Sequence, residues 1–178
     1  MTPADLKALI RTVPDFPKPG IQFRDITTLI ADGPGLAATV AMLAGHAEAA
    51  GAQAIAGIEA RGFIFGAAVA ARLGLGFLPL RKPGKLPVPV LALDYALEYG
   101  TDTLEIDPGA IAAGQRVVLI DDLIATGGTA LAAAQLLRQA GAKVEAALFV
   151  IDLPDLGGAD RLRAASMQVA ALVAFPGH

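Results

Sequence analysis

The chain has 178 residues, 54% hydrophobic and 17% charged, with a net charge of −3, which suits one well-filled domain and is short for two. It has no cysteine and only two histidines, His46 and His178, so disulfides, thiolate chemistry, His-rich metal clusters and a Ser-His-Asp triad drop out. The acidic balance argues against nucleic-acid affinity. The positive mean hydropathy of +0.57 comes from Ala- and Gly-rich stretches cut by Arg61, Arg72 and Arg81, with no run of about eighteen strongly apolar residues. The start, Met1 to Lys7, lacks the basic and apolar regions of a signal peptide. The expectation is a cytoplasmic protein that binds neither membrane nor nucleic acid, holding any anionic ligand with a few local cations and backbone amides.

Thr2 as N-cap, Pro3 at N1 and Asp5 at N3 predict a short helix carrying Leu6, Leu9 and Ile10. Three prolines between Val13 and Gly20 forbid a regular helix, and Ile21 to Ile26 follows as part of a packed arm in which Phe16 and Phe23 can act as core plugs. Gly33-Pro34 opens a long helix ending near Gly51, with His46 on it as a structural or exposed residue. Ala54 to Ile58 predicts a strand, Glu59-Ala-Arg61-Gly62 a sharp turn, and Phe63 to Leu73 a helix. Helix N-terminal amides beside Arg61 suit a phosphate, although Arg61 paired to Glu59 as a structural ion pair is the plainer alternative.

Gly76 to Leu80 predicts the next strand, and Arg81, Lys82 and Lys85 then form a basic loop braced by prolines. Leu91, Leu93, Tyr95 and Leu97 alternate with smaller or polar residues, and Leu104 and Ile106 follow a Gly-containing turn, which is hairpin patterning with Glu98 as a turn acid. Val117 to Ile120 predicts a doubly covered strand that the chain leaves at Asp121. Asp121 and Asp122 stand before the loop Ala125 to Thr129, which opens a helix ending at Gly141. Gly127 and Gly128 let the backbone approach an anion at that helix start, and two carboxylates can accept hydrogen bonds from vicinal hydroxyls. Together these describe a ribose 5-phosphate site, although a solvated acidic turn has the same pattern. Val144 to Ile151, Gly158 to Ala165 and Met167 to Val173 complete a strand-helix-strand series with no functional motif after Val150. The alternation predicts an open, mostly parallel α/β sheet.

Asp121-Asp122 followed by Thr126-Gly-Gly-Thr129 resembles the phosphoribosyl pyrophosphate (PRPP) motif of the type I phosphoribosyltransferases. Pro14-Asp-Phe-Pro17, Phe23-Arg-Asp-Ile26 and Arg81-Lys-Pro-Gly-Lys85-Leu-Pro87 resemble the adenine phosphoribosyltransferases, and the likeness runs from about Val13 to Arg138. It implies the type I phosphoribosyltransferase fold in a single domain, 1–178, with a hood at 1–30. It implies transfer of the phosphoribosyl group from PRPP to adenine, giving AMP and pyrophosphate in purine salvage, with Mg²⁺. Ala125 to Thr129, including Thr126, Gly127 and Gly128, would grip the 5-phosphate, and Asp121 and Asp122 the ribose, with Mg²⁺ carried by PRPP near that pair. Arg61, Arg81, Lys82 and Lys85 would meet the diphosphate, the basic loop acting across a homodimer interface. Gln22, Phe23, Arg24 and Leu123 would form the adenine site, though Phe23 can equally be core. Glu98 and Tyr99 would close over the reactants, with Glu98 handling the base's proton, and the Glu59-Ala60 peptide would be cis. An oxopurine phosphoribosyltransferase and a non-catalytic PRPP sensor that binds nucleic acid are the alternatives. The Phe23-Arg24-Asp25 and Arg81 to Lys85 patterns argue against the first, and the acidic balance against the second.

Overall fold

The structure, a computed structural model, describes residues 1–97 and 100–177. Its centre is a five-stranded parallel sheet in the order β4 (Gly76–Leu80), β3 (Ala54–Ile58), β7 (Arg116–Ile124), β8 (Lys143–Asp152), β9 (Gln168–Ala174). Parallel neighbours need crossover connections, supplied here by α4 (Arg61–Leu73), α5 (Gly128–Gln139) and α6 (Gly158–Ala164). β3 is buried at every position, as its unbroken apolar run requires of a strand covered on both faces.

The pleat divides the core in two. Ile55, Val118, Ile120 and Leu148 pack with Phe65 and Val69 of α4 and with Val40 and Leu43 of α3 (Gly33–Ala49). Ala56, Leu119, Ala147 and Phe149 pack with Ala133, Leu136 and Leu137 of α5 and with Leu104 and Ile106 of β6 (Thr101–Ile106). β6 pairs antiparallel with β5 (Leu91–Ala96), and Tyr95 and Leu93 are less exposed than their neighbours, the predicted period of two. A third, two-stranded sheet joins β1 (Arg11–Pro14) to β2 (Gln22–Asp25) in the amino-terminal arm, the segment expected to be the hood. α1 (Pro3–Leu9) begins with the predicted capping box, Thr2 and Asp5 each satisfying the other's backbone N–H.

Two expectations change. Phe16 is 51% exposed and meets Phe23 edge-on at 5.2 Å between ring centroids, so it is no core plug. The chain does not leave the sheet at Asp121: the ladder to β8 continues through Asp121↔Phe149, Leu123↔Ile151 and Ile124↔Asp152, so the acidic pair lies within the strand. The sequence also hides α2 (Thr27–Ala31), one short turn whose N-cap residue, Ile26, has no capping side chain and whose first amide, Thr27 N–H, is met instead by Asp25 Oδ1 at 2.9 Å. His46 is exposed, as expected.

Candidate active site

The carboxyl ends of β3 and β7 open into a cleft of about 390 Å³ lined by Glu59, Ala60, Arg61, Lys82, Tyr95, Leu97 and Asp102, and by the whole run Asp121 to Ala130. A crevice at the strand ends of an open α/β sheet is the expected ligand position. The structure therefore brings together Arg61, Lys82, Asp121, Asp122, Leu123 and the loop Ala125 to Thr129.

Gly127 caps α5 at φ +80°, a conformation that a side chain disfavours, and this turns the first amides of the helix free of the strand. The loop is held from below by a segment in which the sequence reveals no motif. Gly158 N–H donates to the Ala125 carbonyl at 3.0 Å, and a Cβ on Gly158 would stand 2.7 Å from Gly127 N and closer still to that carbonyl. Backbone contact of this kind leaves no trace in side-chain pattern.

Asp122 is 5% exposed and accepts a 2.5 Å hydrogen bond from Arg61 Nε. The Arg61 side chain is 55% exposed, so the pair resembles a surface ion pair, worth about 0–1 kcal/mol. A charge-assisted bond to a phosphate, worth roughly 1.5–3 kcal/mol, can outbid it. Among the described residues, no cation is in hydrogen-bond contact with Asp121. Burial, then the adjacent Asp122 charge, pushes its carboxyl well above the usual range. A Cβ on Gly62 would lie 2.8 Å from Asp121 Oδ1, so glycine at the α4 start is what admits this carboxylate.

Glu59 pairs with Arg81, at 3.2 Å from Arg81 Nε, and not with Arg61, so the ion pair weighed for Arg61 forms with different partners. Its Oε2 also accepts from Lys82 N–H at 2.8 Å; that bond, opposed by burial and helped by Arg81, holds Glu59 below the ordinary carboxylate range. Lys82 reaches into the cleft and is paired with Asp102, with Tyr95 Oη at 3.4 Å. Burial lowers the Lys82 pKa, but the bonds to Asp102 and Tyr95 outweigh it and the value is raised. Sequence reading missed Tyr95 and Asp102 as site residues; the inward phase of Tyr95 on β5 was the available signal. The Glu59-Ala60 peptide is cis, as the resemblance implies.

Arg81 and Lys85 are not among the cleft-lining residues; Arg81 is turned to Glu59 and to the Lys85 carbonyl. Gln22, Phe23 and Arg24 lie in the hood, also off the lining, and the Arg24 side chain points to Thr12 and Phe175. Glu98 and Tyr99 lie outside the described residues; Leu97 beside them lines the cleft.

The profile of the Phosphoribosyl transferase domain matches residues 28–166. The chain is 73% identical, over the full length of both, to an adenine phosphoribosyltransferase of Novosphingobium aromaticivorans. The adenine phosphoribosyltransferase structure from Thermoanaerobacter pseudethanolicus superposes with a TM-score of 0.92 at 46% identity, covering 98% of this chain and 100% of that one. The Saccharomyces cerevisiae enzyme, solved with an imino-altritol bisphosphate and adenine, gives 0.90 at 37% identity, covering 96% and 98%. A glycine loop at a helix start, an acidic pair within the strand before it and an arginine at a second helix start thus sit on a shared fold, and the chain belongs to the adenine phosphoribosyltransferases of the type I phosphoribosyltransferase family.

Proposed function

We propose that the protein transfers the 5-phosphoribosyl group of PRPP to adenine, giving AMP and pyrophosphate, as one domain spanning 1–178 with its hood at 1–30. The observation that carries this is the convergence in one cleft of the loop Ala125 to Thr129 at the α5 start, the acidic pair Asp121-Asp122, and the cations Arg61 and Lys82. The loop amides and the helix dipole hold the 5-phosphate. Asp121 and Asp122 take the ribose hydroxyls, and Arg61 and Lys82 take the diphosphate. Gln22, Phe23, Arg24 and Leu123 provide the base site, in keeping with the adenine complex of the yeast relative.

Breaking the anomeric C1–O bond sends its electron pair to pyrophosphate and leaves positive charge on the ribose ring. The acidic pair favours that charge, and the cations favour the leaving group. Adenine N9 forms the new bond to C1 and loses its proton, for which Glu98 is the candidate acceptor, while Tyr99 joins it in covering the reactants.

Among the described residues no group of three or more His, Cys, Asp or Glu side chains converges to hold a metal. The donor set fits Mg²⁺ carried on PRPP oxygens, with Asp121 and Asp122 near its water shell. When bound, the ion supplies charge neutralisation at the diphosphate.

The working unit is proposed to be a cytoplasmic homodimer in which Arg81 and Lys85 serve the neighbouring copy, since neither lines the cleft of its own chain. Light scattering should give twice the monomer mass; a monomer with full activity would sink this part. For the reaction, the protein is incubated with PRPP, Mg²⁺ and adenine, hypoxanthine, guanine or xanthine in turn. AMP and pyrophosphate from adenine alone are expected, and product from an oxopurine, or PRPP binding without turnover, would overturn the reading.

A further inference from the structure

Among the described residues the hood has no ladder to the main sheet: β1 and β2 pair with each other alone. Two strands alone are marginally stable in water, so side-chain contacts must fix where the hood stands relative to the cleft. Some of those contacts come from the last residues of the chain. Beyond β9, Phe175 N–H donates to the Asp152 carbonyl at 3.0 Å and the ring is buried, 8% exposed. Two cations from the amino-terminal region converge on that ring. Lys7 Nζ stands 4.7 Å from its centroid and donates to the Ala174 carbonyl at 2.5 Å. The Arg24 guanidinium stands 4.6 Å from the centroid and donates to the Pro176 carbonyl at 3.3 Å and to Thr12 Oγ1 at 2.6 Å. The far end of this segment is tied back in turn, with Gly177 N–H donating to Asp155 at 2.6 Å.

We infer that Phe175 is a positioning residue for the nucleobase: the carboxyl-terminal segment straps β2 to the sheet through the Phe175 ring and Arg24, and so sets the affinity for adenine without acting on PRPP. This rests on the proposed placement of the base under Gln22 to Arg24. An aromatic face attracts a guanidinium or ammonium through its quadrupole, which an aliphatic side chain of similar bulk lacks. The strap therefore depends on the ring and not only on an apolar plug, and this separates positioning from plain core packing.

The test uses the full chain carrying Phe175→Leu, Phe175→Trp or Lys7→Met, with the KM of each substrate measured separately and amide hydrogen exchange followed across 11–25 and 54–58. Phe175→Leu should raise the KM for adenine about five- to tenfold, leave that for PRPP within about twofold, and speed exchange in the hood but not in β3. Phe175→Trp should restore the adenine KM to within about twofold of the unaltered protein. Lys7→Met, at an exposed position, keeps the ring and should give a smaller rise confined to adenine; it carries the test should Phe175→Leu fail to fold. Parallel rises for both substrates, no rise for either, or hood exchange unchanged would overturn the strap. An unaltered protein that does not use adenine would overturn the proposed function itself, and this role with it.

Discussion

Asp121 and Asp122 are neighbours with different surroundings, because Arg61 bonds Asp122 and, among the described residues, no cation bonds Asp121. With the Asp121 pKa raised by burial and by Asp122, the folded state holds more protons than the unfolded state between the ordinary value of 3.8 and the raised one. Stability therefore falls as pH rises through that window. Asp121→Asn should stabilise the protein at pH 7 by roughly 0.5–2 kcal/mol, read as about 2–4 °C per kcal/mol in thermal unfolding. The gain should disappear below about pH 4, and turnover should fall at least tenfold because the ribose loses an anionic acceptor. Stability unchanged at pH 7 would show that the side chain carries no unfavourable charge. Glu98→Ala should lower kcat by orders of magnitude while equilibrium binding of PRPP stays within about threefold; undiminished turnover would remove Glu98 from the chemistry.

At the level of elements, the glycine loop Ala125 to Thr129 is a joint product of β7, α5 and the start of α6. Gly158 lies so close beneath Ala125 and Gly127 that a methyl group has no room. Gly158→Ala must push the loop backbone, since the two nearest neighbours it meets, Ala125 O and Gly127 N, are main-chain atoms, with the Ile124 side chain next at 2.8 Å. Overpacking of this sort costs about 1–3 kcal/mol. The expected outcome is a lower unfolding midpoint and a KM for PRPP raised about tenfold, with the KM for adenine changed far less; denaturant titration and two-substrate kinetics check both. β5 and β6 have an equally specific part, carrying the Tyr95 and Asp102 that hold Lys82 at the cleft.

Across the whole molecule, strong acid should weaken the anchor of the amino-terminal arm. Asp25 ends β2 and accepts from Thr27 Oγ1 at 2.7 Å, from Thr27 N–H at 2.9 Å and from Arg11 Nη2 at 2.5 Å. The Thr27 bonds, then Arg11, hold its pKa down at about 2. A lowered acid contributes stability above its unfolded value of 3.8 and loses it as pH falls through about 2. Asp25→Asn should thus be less stable than the unaltered protein at pH 7, the gap narrowing below about pH 4 and closing near pH 2. A gap independent of pH would mean that packing, not charge, ties β2 to α2. The sign is opposite to that of Asp121, so the two substitutions together separate an anchoring carboxylate from one kept for its chemistry.

Sequence alone determined the strand and helix series of the main sheet and the hairpin, the capping box at Thr2, and the two strand-turn-helix units that carry the glycine loop and Arg61. These are local matters of apolar period, capping chemistry and glycine placement, and each is written within a few residues. Tertiary structure decided who pairs with whom. Arg61 took Asp122 and left Glu59 to Arg81 and Lys82, β7 ran on through the acidic pair because β8 offered it a continued ladder, and Gly158 and Phe175 acquired roles from backbone and ring contacts across the fold. Such contacts depend on where distant elements dock, and charge or glycine content in one stretch carries no record of the partner that arrives from another.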